Sequence, residues 1–235
     1  MGPQGLADIC CTSELWHLGQ GDLKNAFYFC GTPDWIWEYF CLLPVFGRDV
    51  ADLLPPHLAT SDVIYPQVKV LPMGWTWATY FCQRLLENVF VSRSGFPSSL
   101  QVLGRRPAPE LGTKHSNYII YIDNFAHLSL SKKQAQRDLE TSEVALRAVG
   151  FDVHDVSVSS SSGEFLGVSF DRDGRIRNQP NRFWKVVRSL NFLLSRRRCS
   201  GKDSENLLGT SPSCCCYAGI CFRFLHHLLF HHQEL

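Results

Sequence analysis

Two acidic side chains stand where they could act together. Asp22 and Asp123 lie far apart in the chain, each at the end of an extended segment. If those segments are neighbours in one sheet, the two carboxylates can share a pair of divalent cations. Hard oxygen donors suit Mg²⁺, which also keeps waters and phosphate oxygens in its octahedron. Two such ions about 4 Å apart activate a hydroxyl for displacement at phosphorus, so no protein nucleophile is needed. The chain offers no Ser-His-Asp or GxSxG arrangement to supply one. Taken alone, Asp123-Asn124 could equally be a hairpin turn whose side chains serve the backbone.

The elements that would hold these residues are legible in outline. Around Asp123 runs N-Y-I-I-Y-I-D-N-F-A-H-L-S-L, from Asn117 to Leu130. Its alternation predicts a hairpin with Tyr118, Ile120 and Ile122 on one face and Ile119, Tyr121 and Asp123 on the other, turning at Asp123-Asn124. Leu15 and Leu18 hint at a short strand before Asp22, and Phe27 and Phe29 suggest that the chain stays extended beyond it. Residues 31–70 are broken by five prolines. From Trp75 to Val91 the period becomes helical, with Phe81, Leu85 and Val89 as its stripe, widened by Cys82, Leu86 and Phe90. Residues 92–116 read as a loop insertion.

After the hairpin, Ser131 and Gln134 form a capping box for a helix that buries Ala135, Leu139, Ser142, Leu146 and Val149 and stops at Gly150. Strands follow at 151–158 and 164–170, and Asp173-Gly174 signals a turn. A further helix, capped by Asn181, buries Phe183, Val186, Val187, Leu190 and Leu194. The order is a split β-α-β-β-α-β layout with an appended helical piece, an α+β fold.

Composition leaves the class open: 235 residues, 45% hydrophobic, 19% charged, net charge +1. No apolar run approaches the roughly 20 residues that span a bilayer, and the N-terminus has no secretory pattern, which points to an intracellular protein. Ten cysteines without a CxxC pair argue against a zinc ribbon or a disulfide framework. The near-neutral total hides an asymmetry. Between Arg172 and Lys202 stand ten Lys/Arg against one acid, Asp173, a pattern suited to phosphate.

These residues, in this order, resemble the reverse transcriptases of retroviruses and retrotransposons. D-L-K-N-A-F at Asp22–Phe27 is similar to the first palm motif, and L-P-M-G-W at Leu71–Trp75 to the second. Y-I-D-N at Tyr121–Asn124 is similar to the third, Y-x-D-D. A-L-R-A-V-G-F at Ala145–Phe151 resembles the fourth, and F-L-G at Phe165–Gly167 the primer-gripping fifth. The resemblance implies a polymerase palm, a ferredoxin-like antiparallel sheet with helices on one face, over residues 22–175. It implies a small helical thumb over 176–209 and a remnant of the fingers or a linker over 1–21, with an atypical tail over 210–235 that reads as frameshifted or decayed.

It also implies roles. Asp22, Asp123 and Asn124 would be catalytic, and Asp22, Asp123 and the Leu23 carbonyl would hold two Mg²⁺ or Mn²⁺ ions. Phe27 would lie beneath the sugar of an incoming dNTP, and Met73-Gly74 would line the nucleotide and template base. Phe165, Leu166, Gly167, Arg196, Arg197, Arg198 and Lys202 would touch an RNA or DNA template–primer. The implied reaction is transfer of dNTP to a primer 3′-hydroxyl, with no membrane partner. Three departures favour a rival, a catalytically dead remnant that at most binds nucleic acid. Asn124 replaces the second aspartate of Y-x-D-D, only 21 residues precede the first motif, and the thumb-like pattern is lost after Gly209.

Overall fold

The computed structural model describes residues 16–59, 63–104, 106–170, 176–196 and 200–203. Its centre is a four-stranded sheet in the order β4-β5-β1-β6, antiparallel at every pairing. The strands are β1 (His17–Leu23), β4 (Asn117–Tyr121), β5 (Asn124–Ser129) and β6 (Val153–Ser160). Strands β2 (Val45–Phe46) and β3 (Val63–Ile64) form a small ribbon in the proline-broken region. Strands β7 (Gly163–Phe165), β8 (Val168–Phe170) and β9 (Ile176–Asn178) form a third, three-stranded sheet. The helices are α1 (Ala26–Phe29), α2 (Pro56–Ala59), α3 (Ala78–Ser92), α4 (Lys132–Ala148) and α5 (Pro180–Leu194).

The expected split layout is present, because the β4–β5 hairpin lies on one side of β1 and β6 on the other. Helices α3 and α4 cover one face, and Leu86, Phe90, Leu139 and Leu146 pack there on Leu23, Tyr118, Ile120 and Phe125. The opposite face carries a second core, where Leu18, Ile119, Ala126 and Leu128 meet Trp16, Phe165, Val168 and Phe170. Both faces of β4 are therefore buried, whereas alternation alone marks neither as the covered one. The third sheet packs over the Trp16–Leu18 end, with Trp16 edge-on to Phe170 at 5.5 Å. By strand parity Asp22, Asn124 and His154 share this second face, at the end the third sheet leaves open.

Several local expectations shift. The chain turns after Asp22 instead of staying extended: Asn25 takes a left-handed φ of +55°, and α1 follows at once. The expected apolar face of α3 is buried on one side only: Cys82, Leu86, Val89 and Phe90 are buried, while Phe81 and Leu85 are 46% and 40% exposed. Ser131 does cap α4, accepting the Gln134 N–H, but the Gln134 side chain donates to Asp138 and not back to Ser131. Val149 is exposed.

The expected single strand at 164–170 is a hairpin. Leu166 and Gly167 both have left-handed φ, +50° and +79°, the geometry of a type I′ turn. Helix α5 starts at Pro180 behind Gln179, so Asn181 lies inside it. Within it Val186 is buried and packs with Leu190 and Leu193. The tail at 210–235 and the Asp173-Gly174 turn lie outside the described residues.

Candidate functional site

Strands β1, β5 and β6 converge on Asp22, which faces Asn124 on one side and His154 on the other. The β4–β5 turn sits beside it. Its two residues are Ile122 and Asp123, because Tyr121 pairs with Asn124. This corrects the expected turn at Asp123-Asn124: Asn124 opens β5, and the left-handed position falls on Ile122 at φ +58°. A β-branched residue there is strained, and the surroundings hold it in place. Gln83 on α3 accepts the Ile122 N–H on Oε1 at 2.8 Å and donates to the Ile120 carbonyl at 3.0 Å. Ile122 itself packs against the main core.

This arrangement brings the two distant acids together. The Leu23 N–H donates to the Asp123 carbonyl at 2.8 Å and to Asp22 Oδ1 at 2.9 Å. Burial holds the Asp22 carboxyl above its ordinary pKa, and the negative charge of Asp123 raises it further. The Leu23 N–H and His154 act in the opposite direction, and Asp155 adds a smaller upward push. Anionic oxygens that repel one another on an open strand end fit a hard divalent cation, which would hold them together. Asp22 and Asp123 would carry it, with the Leu23 N–H bonded to both residues. One detail opposes it: Asn124 Nδ2 donates to Asp123 Oδ1 at 2.7 Å, so an amide proton occupies one of the oxygens a cation would use.

The other expected residues are placed less closely. Phe27 is half-buried on α1, packed on the main core. Met73 is 68% exposed, and Gly74 has φ +94° in the turn before α3, with open space where a Cβ would stand. A backbone bond from Leu71 N–H to the Cys30 carbonyl joins that segment to the end of α1. Phe165 is buried in the second core, with Leu166 and Gly167 forming the turn beyond it. Arg196 follows α5, stacked over Phe192 at 4.1 Å and 4.0 Å from Asp203. Lys202 is exposed, and Arg197 and Arg198 lie outside the described residues.

Sequence reasoning missed Gln83, His154 and Asp155. Gln83 carries no signal, since a polar residue at a helix position gives no hint of a partner on a strand. His154 and Asp155 follow a motif already assigned to the end of a helix. Their place depends on a bulge in β6, where Gln20 pairs with Ser157 but Asp22 with His154, and Asp155 takes φ +51°.

Comparison with known proteins follows the fold. The chain is similar to the foamy viral protease-reverse transcriptase dRH in complex with double-stranded DNA, with a TM-score of 0.51 and 12% identity over 83% of this chain. It covers 26% of that structure's chain, so it spans about a quarter of the larger protein. A telomerase from Candida albicans, solved with a TWJ fragment of telomeric RNA, aligns with 84% of this chain and 37% of its own, at 12% identity and a TM-score of 0.43. No family model and no curated protein matches the sequence. At such identity the likeness is one of fold alone: a mixed α and β domain with an antiparallel sheet.

Proposed function

We propose that this chain is the palm, with part of a thumb, of an RNA-directed DNA polymerase that adds dNTP to a primer 3′-hydroxyl on an RNA or DNA template. One observation carries the reading: Asp22 and Asp123, each in a palm-like motif, meet at the open end of the sheet. When bound, two Mg²⁺ or Mn²⁺ ions would supply activation of the hydroxyl and charge stabilisation at phosphorus. The chain's own residues do the rest. Asp22 and Asp123 provide the anionic oxygens, and the turn fixed by Gln83 sets where the Asp123 carboxylate stands.

Phe27 limits the room beside the nucleotide sugar and so disfavours a 2′-hydroxyl. Gly74 allows backbone to approach the nucleotide closely, beside Met73. The Phe165–Gly167 turn steadies the primer. Arg196, Arg197, Arg198 and Lys202 contact phosphates, adding affinity without sequence choice. About six such contacts would cost roughly a thousandfold in affinity between 50 and 200 mM salt.

The test is extension of a labelled primer on an RNA template by purified protein with Mg²⁺ or Mn²⁺. Extension that disappears in Asp123→Ala supports the proposal. Salt-dependent binding without extension supports a second reading, a catalytically dead relative that only holds nucleic acid. The Asn124 amide lying on Asp123 Oδ1 favours that second reading, since it removes one negative charge and occupies a ligand oxygen.

A further inference from the structure

A histidine stands beside Asp22 in a geometry that the polymerase chemistry does not use. On β6, His154 Nδ1 lies 2.9 Å from Asp155 Oδ2, and its Nε2 lies 3.5 Å from Asp22 Oδ2. Donor atoms of Asp22, His154 and Asp155 all fall within 4.8 Å of one another. The two separations mean different things. At 2.9 Å the Nδ1–H donates to Asp155, which fixes the tautomer and the orientation of the ring. When the ring is neutral, this leaves the Nε2 lone pair facing the Asp22 carboxylate, two acceptors directed at one another. At 3.5 Å they are too far apart for a charge-assisted hydrogen bond, which runs to about 2.9 Å. They do match two ligands of one tetrahedral zinc, which bonds of about 2.05 Å place roughly 3.3 Å apart.

We propose that Asp22 Oδ2 and His154 Nε2 form a binding site for a borderline divalent transition metal, Zn²⁺ or Co²⁺ in class, with Asp155 orienting the imidazole from behind. The carboxylate of Asp123, close enough to raise the Asp22 carboxyl, adds negative charge to the same spot. A nitrogen donor separates this site from a pure Mg²⁺ centre, because imidazole suits Zn²⁺ and its neighbours in the first transition row, whereas Mg²⁺ takes oxygen. The fold produces the site through the β6 bulge. Had the register of Gln20↔Ser157 continued unbroken, Asp22 would pair with Asp155, and the imidazole would move off the face. Asp22 is shared with the proposed polymerase centre, so a metal held by His154 would compete with catalytic ions for that carboxylate.

The experiment reads binding, not nucleotide transfer. Co²⁺ is titrated into the purified chain while visible d–d absorption is followed, and Zn²⁺ binding is measured by calorimetry. The proposal expects one site, weakened at least tenfold in His154→Ala and about tenfold in Asp155→Asn. Mg²⁺ affinity should be unchanged in both variants. Far-UV circular dichroism establishes that each variant folds, and His154→Gln, which keeps a polar side chain of similar length, serves if the alanine variant does not. No cobalt spectrum, or one unchanged in folded His154→Ala or His154→Gln, overturns the proposal. So does a site lost in Asp123→Ala but kept without His154, which would be a carboxylate pair alone. Zinc binding with no primer extension would end the polymerase proposal and leave this one standing.

Discussion

Gln83 grips the backbone of Ile122 from the neighbouring helix, its Oε1 accepting the Ile122 N–H at 2.8 Å while the residue sits at φ +58°. The same amide reaches the Ile120 carbonyl and Glu87, so one side chain ties α3 to the end of β4 and to the first residue of the turn that carries Asp123. Gln83→Leu keeps the volume and removes these bonds, leaving a part-buried N–H and carbonyl without their partner. The expected loss is roughly 1–3 kcal/mol, a fall of several degrees in Tm for a chain of this size. Thermal unfolding checks it. An unchanged Tm would show that packing alone holds the strained turn.

His127 sets a pH limit on the fold. It is fully buried between β5 and α4, with Nε2 2.7 Å from Ser142 Oγ and its ring stacked on Phe90 at 5.9 Å. Burial pushes its pKa down from 6.5 to about 4, against a weaker upward pull from Asp138. The unfolded chain therefore takes up this proton near neutrality, and the folded one only in acid. Stability from the neutral ring is complete above about pH 6.5 and is lost as pH falls toward about 4, on the order of 3 kcal/mol across the window. Urea denaturation at pH 7.5 and pH 5 should show the fall, and His127→Phe should flatten it. Equal slopes in both proteins would assign the acid sensitivity to other groups.

Gly21 is needed where β1 passes under Phe125. A Cβ there would stand 2.6 Å from Phe125 Cζ and 2.9 Å from Cε1. The ring is buried, with Phe90 edge-on at 5.7 Å, and has little room to yield. Gly21→Ala should cost about 1–3 kcal/mol by overpacking and disturb the strand one residue before Asp22. Gly31→Ala is the control, since nothing lies within 4 Å of its Cβ position. It should fall within about 0.5 kcal/mol of the parent. Denaturant midpoints of the two variants that coincide would contradict the packing argument.

What was legible in the sequence followed from period and punctuation. The α4 face of Ala135, Leu139, Ser142 and Leu146 is buried as its spacing requires, and Ser131 caps it. The split strand order follows from the succession of elements, and the meeting of Asp22 with Asp123 depends on that order. What failed depended on contacts between distant residues. The hairpin turn moved one residue because Gln83 and the core hold Ile122 in a conformation its own chemistry resists. On α3 the period gave a face wide enough to include both Cys82 and Phe81, and which edge of it meets the sheet was decided by packing, which buries Cys82 and leaves Phe81 exposed. The Leu166-Gly167 turn hid inside an apolar run, and the β6 bulge that sets His154 against Asp22 has no mark in composition.

Asp22 should lower stability at neutral pH. Burial, Asp123 and Asp155 raise its carboxyl above the ordinary 3.8, so the folded chain holds that proton more tightly than the unfolded one. Stability from this group is therefore greatest in acid and declines as pH rises above 3.8 through the raised value. Asp22→Asn keeps an oxygen for the Leu23 N–H and removes the charge. It should raise Tm at pH 7, by less at high salt where surface charges are screened, and leave Tm nearly unchanged in acid, where both side chains are neutral. A divalent cation that binds the native site should reverse the order, stabilising the parent by mass action and not the variant. Melting curves with and without Mn²⁺ at pH 7 measure both effects. A Tm lowered by Asp22→Asn in metal-free buffer would mean that the carboxylate is a structural anchor, and that its repulsion by Asp123 is not what governs this end of the sheet.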